Sequence, residues 1–217
     1  MFRKIQHFLS ANFHQDIFFR AILSAFLLSV VFSLLPFFVS CNEISNEIIR
    51  LHVIANSDSA EDQALKLKIR DRVLTEAAKW YGDAENFEEA NAALCMRLES
   101  IQKAAEDTAR ENGVFAPVTA TMSDAYFTTR EYTDFTLPAG KYRTLKIVIG
   151  AGNGKNWWCM AYPSLCLPAA EKKSTDKDLL AILPDHETRI ITNPKDYTVK
   201  FKIVELFEKL KDSLDKR

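Results

Sequence analysis

Apolar and polar positions change rhythm along IIRLHVIANSDSAEDQALKLKIRDRVL, residues 48–74. Ile49, Leu51 and Val53 alternate with Arg50 and His52, the period of two that predicts a half-buried strand. Asn56-Ser57-Asp58-Ser59 interrupts it with short side chains that bond nearby backbone amides and favour turns and caps. Both Asp58-x-x-Glu61 and Ser59-x-x-Asp62 have capping-box spacing, which predicts a helix start. Leu65, Ile69, Val73, Ala77 and Trp80 then recur at helical spacing, with Leu67, Leu74, Ala78 and Tyr81 beside them. Lys66 and Arg70 fall in the middle of that apolar arc. Their stems can cover the core while their heads reach water or a carboxylate, or they can serve a partner.

The same periods carry on down the chain. Phe87, Ala90, Leu94, Leu98, Ile101 and Ala105 predict one helix from Phe87 to Asn112, with Gly113 placed to cap it. Residues 117–132 return to strand composition, and Leu137-Pro138-Ala139-Gly140 reads as a turn. Leu145, Ile147 and Ile149 predict a strand over 141–149 whose hairpin partner is 156–162, joined by Gly150-Ala151-Gly152-Asn153-Gly154. Phosphate-cradling glycine loops run from strand to helix, so this loop is not read as one. The pleat sends Trp157 and Trp158 to opposite faces. After the polar stretch 171–178, a short helix is expected around Leu179 to Leu183, then a strand through Val199, Phe201 and Ile203 and a closing helix from Glu205 to Leu214. The expected class is α/β (α+β): helices packed on a mixed, mainly antiparallel sheet.

One element stands apart. Ala21 to Val39 holds no charge, follows Arg3, Lys4 and Arg20, and precedes Glu43 and Glu47. At a rise of about 1.5 Å per residue such a run reaches nearly 30 Å, enough to cross a bilayer core, and the basic flank stays in the cytoplasm. The expectation is a cytoplasmic segment 1–20, a signal anchor or signal peptide at 21–40, and one extracytoplasmic domain at 44–217, folding as a monomer. Phe38-Val39-Ser40-Cys41 resembles a lipoprotein cleavage site only faintly.

Composition removes several functions. A net charge of −1 gives no general attraction to nucleic acid. No CxxC or HExxH spacing occurs, so neither a metal nor a cofactor is expected. Ser100-x-x-Lys103 and Ser174-x-x-Lys177 lack the companion motifs of a catalytic serine. His52, Asn56, Ser57 and Asp58 form the one polar cluster that keeps an exported hydrolase of peptidoglycan or peptide open as an alternative. Of four cysteines, Cys159 and Cys166 are the pair close in sequence, either bridged or held as two buried thiols.

Three segments carry a resemblance: the 48–74 stretch, Asn156-Trp157-Trp158-Cys159 with Pro163-Ser164-Leu165-Cys166, and Val199-Lys200-Phe201-Lys202-Ile203-Val204-Glu205-Leu206. Together the chain from about residue 44 to 210 resembles the stage II sporulation protein R family, with Ala60 and Ser164 standing where proline is expected. The resemblance implies a signal without catalysis, exported from the forespore into the space facing the mother cell. It implies activation of a membrane-embedded aspartic protease, stage II sporulation protein GA, which leads to processing of pro-sigma E. The expected contact is the outward-facing member of Trp157 and Trp158, with Lys66 or Arg70 if exposed, near Asn56 and Asp58.

Overall fold

A computed structural model describes residues 2–82, 84–132, 135–163 and 183–215, with side-chain surroundings from residue 17 to 214. The chain divides into two units, Met1–Val39 and Ser40–Arg217. The first is the body of α1 (Phe2–Asn46). Its Phe18, Phe19, Phe26, Leu27 and Phe32 are all exposed, and the helix is long and apolar enough to fit a signal anchor or membrane segment.

The second unit is built on β1 (Ile49–Ile54), α2 (Ala60–Tyr81), α3 (Phe87–Met96), α4 (Leu98–Glu111), β2 (Val118–Phe127), β3 (Arg130–Glu131), β4 (Thr136–Leu137), β5 (Gly140–Ile149) and β6 (Asn156–Tyr162). It ends with α5 (Asp185–Thr192), a 3-10 turn at Pro194–Tyr197, and α6 (Thr198–Asp215). Helices pack on a mixed sheet of order β2-β5-β1-β6, in which β1 runs parallel to β5 and antiparallel to β6, and β2 antiparallel to β5. A separate two-stranded ribbon pairs β3 with β4.

Several sequence expectations are corrected. The hairpin between 141–149 and 156–162 does not form, because β1 lies between those strands. Six residues, Gly150 to Lys155, separate β5 from β6, and they bridge two strand spacings, about 10 Å. β1 is buried on both faces, not half-buried, with helices over one and aromatic rings over the other. The single helix expected from Phe87 breaks at Arg97, whose guanidinium stacks on Trp80 at 4.5 Å. Ala90, Leu94, Ile101 and Ala105 nonetheless stay buried across the break. Within α2, Leu67 and Trp80 face solvent, while Leu65, Ile69, Val73, Leu74, Ala77 and Tyr81 enter the core.

The expected strand at Val199–Ile203 is the first part of α6. Phe201 and Val204 are its buried positions, so a three-residue spacing won over the apparent alternation. The helix expected around 179–183 lies outside the described residues apart from Leu183. Gly113 behaves as read: with φ +75°, it donates to the Arg110 carbonyl while Val114 donates to Ala109, a Schellman closure of α4.

Candidate partner-binding site

Strand β1 ends in a clamp. The Ser59 hydroxyl caps α2 by accepting from the Asp62 amide at 3.1 Å. Asp62 does not reciprocate as a capping box would. Its carboxylate instead accepts from Ser57 Oγ at 2.6 Å and Asn56 Nδ2 at 2.9 Å, bonds that hold it below the usual carboxylate range, the Ser57 bond foremost. Asn56 Oδ1 accepts from the Ala151 amide and Asp58 Oδ1 from the Lys155 amide, while Asn153 and Gly154 donate to the carbonyls of Asn56 and Ala55. A Cβ at Gly154 would stand 2.2 Å from the Ser57 carbonyl oxygen, and one at Gly150, where φ is +55°, would stand 2.2 Å from Asn56 Oδ1. Glycine is required at Gly154 because two backbones meet there, and at Gly150 because of its positive φ and the Asn56 side chain packed against it. The signature turn therefore fastens the loop that crosses the end of β1.

Lys66 joins the same clamp. It is buried, and its ammonium donates to Gln63 Oε1 and to the Lys155 carbonyl; loss of hydration lowers its pKa. Arg70 is half-buried, pairs with Asp71 at 2.6 Å, and lies 4.4 Å over the Trp157 ring. Trp157 itself packs against the helix-covered core. Of the residues expected at a contact, then, Lys66, Asn56 and Asp58 have their polar groups engaged within the chain.

The pleat does send Trp158 to the other face. There Ile49, Leu51 and Val53 give way to Arg50 and His52 as the inward side chains of β1. Arg50 is fully buried. Its Nε donates to the Cys159 carbonyl at 3.1 Å and its Nη2 to Tyr132 Oη at 2.9 Å. The guanidinium lies 4.3 Å from the Phe127 ring centroid and 5.2 Å from that of Tyr142. No carboxylate pairs with it among the described residues, and Nη1 has no hydrogen-bond partner there. Desolvation lowers its pKa, although a guanidinium stays charged at neutral pH. Among the described residues, cation–π attraction and two acceptors surround the charge.

Two residues along, His52 stacks on Trp158 with ring centroids 3.8 Å apart. Its Nε2 lies 3.0 Å from Asn156 Oδ1, which makes Nε2 the protonated nitrogen. Burial lowers the His52 pKa, so the ring is neutral at pH 7. Phe127 meets Trp158 edge to face at 4.9 Å, and Arg130 lies 5.7 Å over its ring. Trp158 thus has a fixed orientation and remains partly exposed. By register, Ile54, Lys146 and Thr121 continue this face outward, and none of the three is buried.

His52, Ser57 and Asp58 do not form a triad. Their side chains bond to Asn156, Asp62 and the Lys155 amide respectively. Cys159 is disulfide-bonded, whereas Cys41 and Cys95 are free; the expected partner, Cys166, lies outside the described residues. Sequence reading missed Arg130, Phe127 and Tyr132, which come from the long strand and the ribbon after it. An arginine and a histidine at inward strand positions were the available signal that aromatic cover would be needed.

The family model described as stage II sporulation protein R matches residues 45–172, a span running from just before β1 through β6. The chain belongs to the stage II sporulation protein R family. Stage II sporulation protein R of Bacillus subtilis (strain 168) is 36% identical over 140 residues, covering 62% of this chain and 62% of that relative. The match thus spans less than two thirds of the relative's length. No solved structure matches. Both the family model and the relative are named for stage II of sporulation. The matched span contains the clamp, Arg50 and both tryptophans.

Proposed function

We propose that the unit after α1 is an exported contact signal that activates a membrane-embedded aspartic protease, stage II sporulation protein GA, and so leads to processing of pro-sigma E. In this reading it acts in the space between forespore and mother cell, held there by α1 or released from it. The observation that carries the proposal is Trp158, a partly exposed aromatic locked by His52, Phe127 and Arg130 on a sheet face. A rigid aromatic loses little conformational freedom on binding, and interface energy concentrates in such anchors.

Activation by binding requires tighter contact with the active state than with the inactive one. Moving a protease from about 1% to about 99% active takes roughly 5.5 kcal/mol of difference. A central tryptophan with an arginine neighbour can supply a large part of that. Arg70, stacked on Trp157 at the other face, is the second place to look.

The test is co-expression of the full chain with the protease and pro-sigma E, scored by processing. Trp158→Ala and Arg130→Ala should each weaken activation by about 1 to 3 kcal/mol, or roughly 5- to 150-fold; exposed Arg130→Ala should leave the melting temperature nearly unchanged, whereas Trp158→Ala also uncovers His52 and Phe127 and is scored only where unfolding curves show it folded. Trp158→Phe should retain most of it. Normal processing by a folded Trp158→Ala chain would remove this face from the contact, and processing that proceeds without the chain would remove the activator role.

A further inference from the structure

Helix α6 (Thr198–Asp215) presents an apolar stripe to solvent. Val199, Leu206, Leu210 and Leu214 are between 59 and 73% exposed, and Ile203 lies among them at 37%. The spacing of four, three, four and four places all five on one side of the helix. An exposed leucine stripe of this length asks for an occupant.

The charges around the stripe identify it. At 3.6 residues per turn, Lys200 and Lys211 border it on one side and Lys202 and Lys209 on the other. Glu205, Glu208 and Asp212 fall on the far side, with buried Phe201 and Val204. That acidic side faces the rest of the unit: Tyr126 Oη bonds the Glu205 carbonyl at 3.5 Å, and Glu208 and Asp212 line a cleft of about 470 Å³ with Asp124 and Lys141. Lysines at both edges of an apolar stripe would repel a second copy of the same helix laid face to face. They suit a bilayer surface, where the leucines enter the acyl boundary and the lysine stems bend outward to anionic headgroups.

We propose that α6 is an interfacial helix that lays its Val199–Leu214 stripe on an anionic lipid surface. A second cleft, of about 700 Å³, is lined both by Asn42, Ser45 and Asn46 and by Lys211 of α6. The helix therefore runs beside residues of its own unit that follow the apolar segment in the chain.

The test uses the full chain in nanodiscs of phosphatidylcholine with or without phosphatidylglycerol. Cys95→Ser removes the exposed free thiol, and Cys41 is buried. A polarity-sensitive fluorophore is attached at Leu206→Cys or Leu210→Cys, or at Lys103→Cys on an exposed position of α4 as the reference. With phosphatidylglycerol present, labels at 206 and 210 should shift to the blue and be quenched by nitroxide lipids at least about twofold more than the label at 103. Equal quenching at the three positions overturns the proposal. So does a blue shift at 206 without lipid quenching, which would mean that a protein surface covers the stripe. Quenching independent of phosphatidylglycerol overturns the assignment to anionic lipid. Because the labelled positions are exposed, unfolding curves should match those of the unlabelled chain, and a large difference would count against the stripe being solvent-facing at all.

Discussion

The two faces of β1 solve the same burial problem with different materials. On one face Ile49, Leu51 and Val53 meet the aliphatic and alanine surfaces of α2, α3 and α4, a closed core that asks only for volume. On the other, Arg50 and His52 are sealed by Tyr132, Tyr142, Phe127 and Trp158. That second face contains charge, directional bonds and stacked rings. The lesson is that the helix side is held by close-packed volume alone, whereas the aromatic side is held by directional contacts that also fix the partly exposed Trp158 in one orientation.

The comparison would break first at its centre. Leu51→Ala should cost about 2 to 5 kcal/mol, because the site is fully packed. Arg50→Ala should cost a similar amount, by opening a cavity beneath Phe127 and stranding the Cys159 carbonyl and the Tyr132 hydroxyl. Arg50→Met should recover at least half of that loss, since it keeps the stem against the rings and removes an ion with no carboxylate partner among the described residues. Denaturant unfolding of the full chain in detergent measures all three. Arg50→Met less stable than Arg50→Ala would show that the charge, not the packing, holds the aromatic face.

A smaller effect is expected at the clamp. Gly154→Ala drives a methyl into the Ser57 carbonyl and should cost about 2 kcal/mol as the loop moves off the end of β1. The reading fails if the variant melts with wild type. Ser59→Ala removes one cap and should cost about 1 kcal/mol without touching either face. A loss of several kcal/mol there would mean that the cap organises the clamp as a whole.

The weakest effect is the one with a pH signature. His52 is held neutral by burial, its pKa depressed below the unfolded value. The unfolded chain therefore binds the extra proton first, and stability present above about pH 6.5 declines as pH falls below it. His52→Phe keeps a ring on Trp158 and should flatten that decline. An unchanged slope between pH 7 and 5 would place the titration elsewhere.

Much of this was legible because it is local. The Asn56-to-Ser59 turn, the start of α2, the Schellman closure at Gly113 and the opposite pointing of Trp157 and Trp158 depend on neighbours within a few residues. The break at Arg97 was not legible, since Leu94, Leu98 and Ile101 keep helical spacing through it. Nor was α6: Val199, Phe201 and Ile203 alternate over too few residues to separate a strand from a helix that buries only Phe201 and Val204. At the candidate site Trp158 was named, but Arg130 and Phe127 could not be, because nothing in their own segments points at a tryptophan about thirty residues away.

By itself the sequence determined where β1, α2 and α3 begin, which run is apolar enough for a membrane, and that short polar residues at 56–59 and glycines at 150–154 make turns. These follow from periodicity, capping and backbone sterics, which act over a few residues. Only the tertiary structure decided that β1 slips between β5 and β6, and from that one placement came the rest. β1 is buried along both faces, so Arg50 and His52 had to be enclosed. The rings that enclose them fix Trp158, because a buried guanidinium and imidazole must find their partners wherever the chain happens to return.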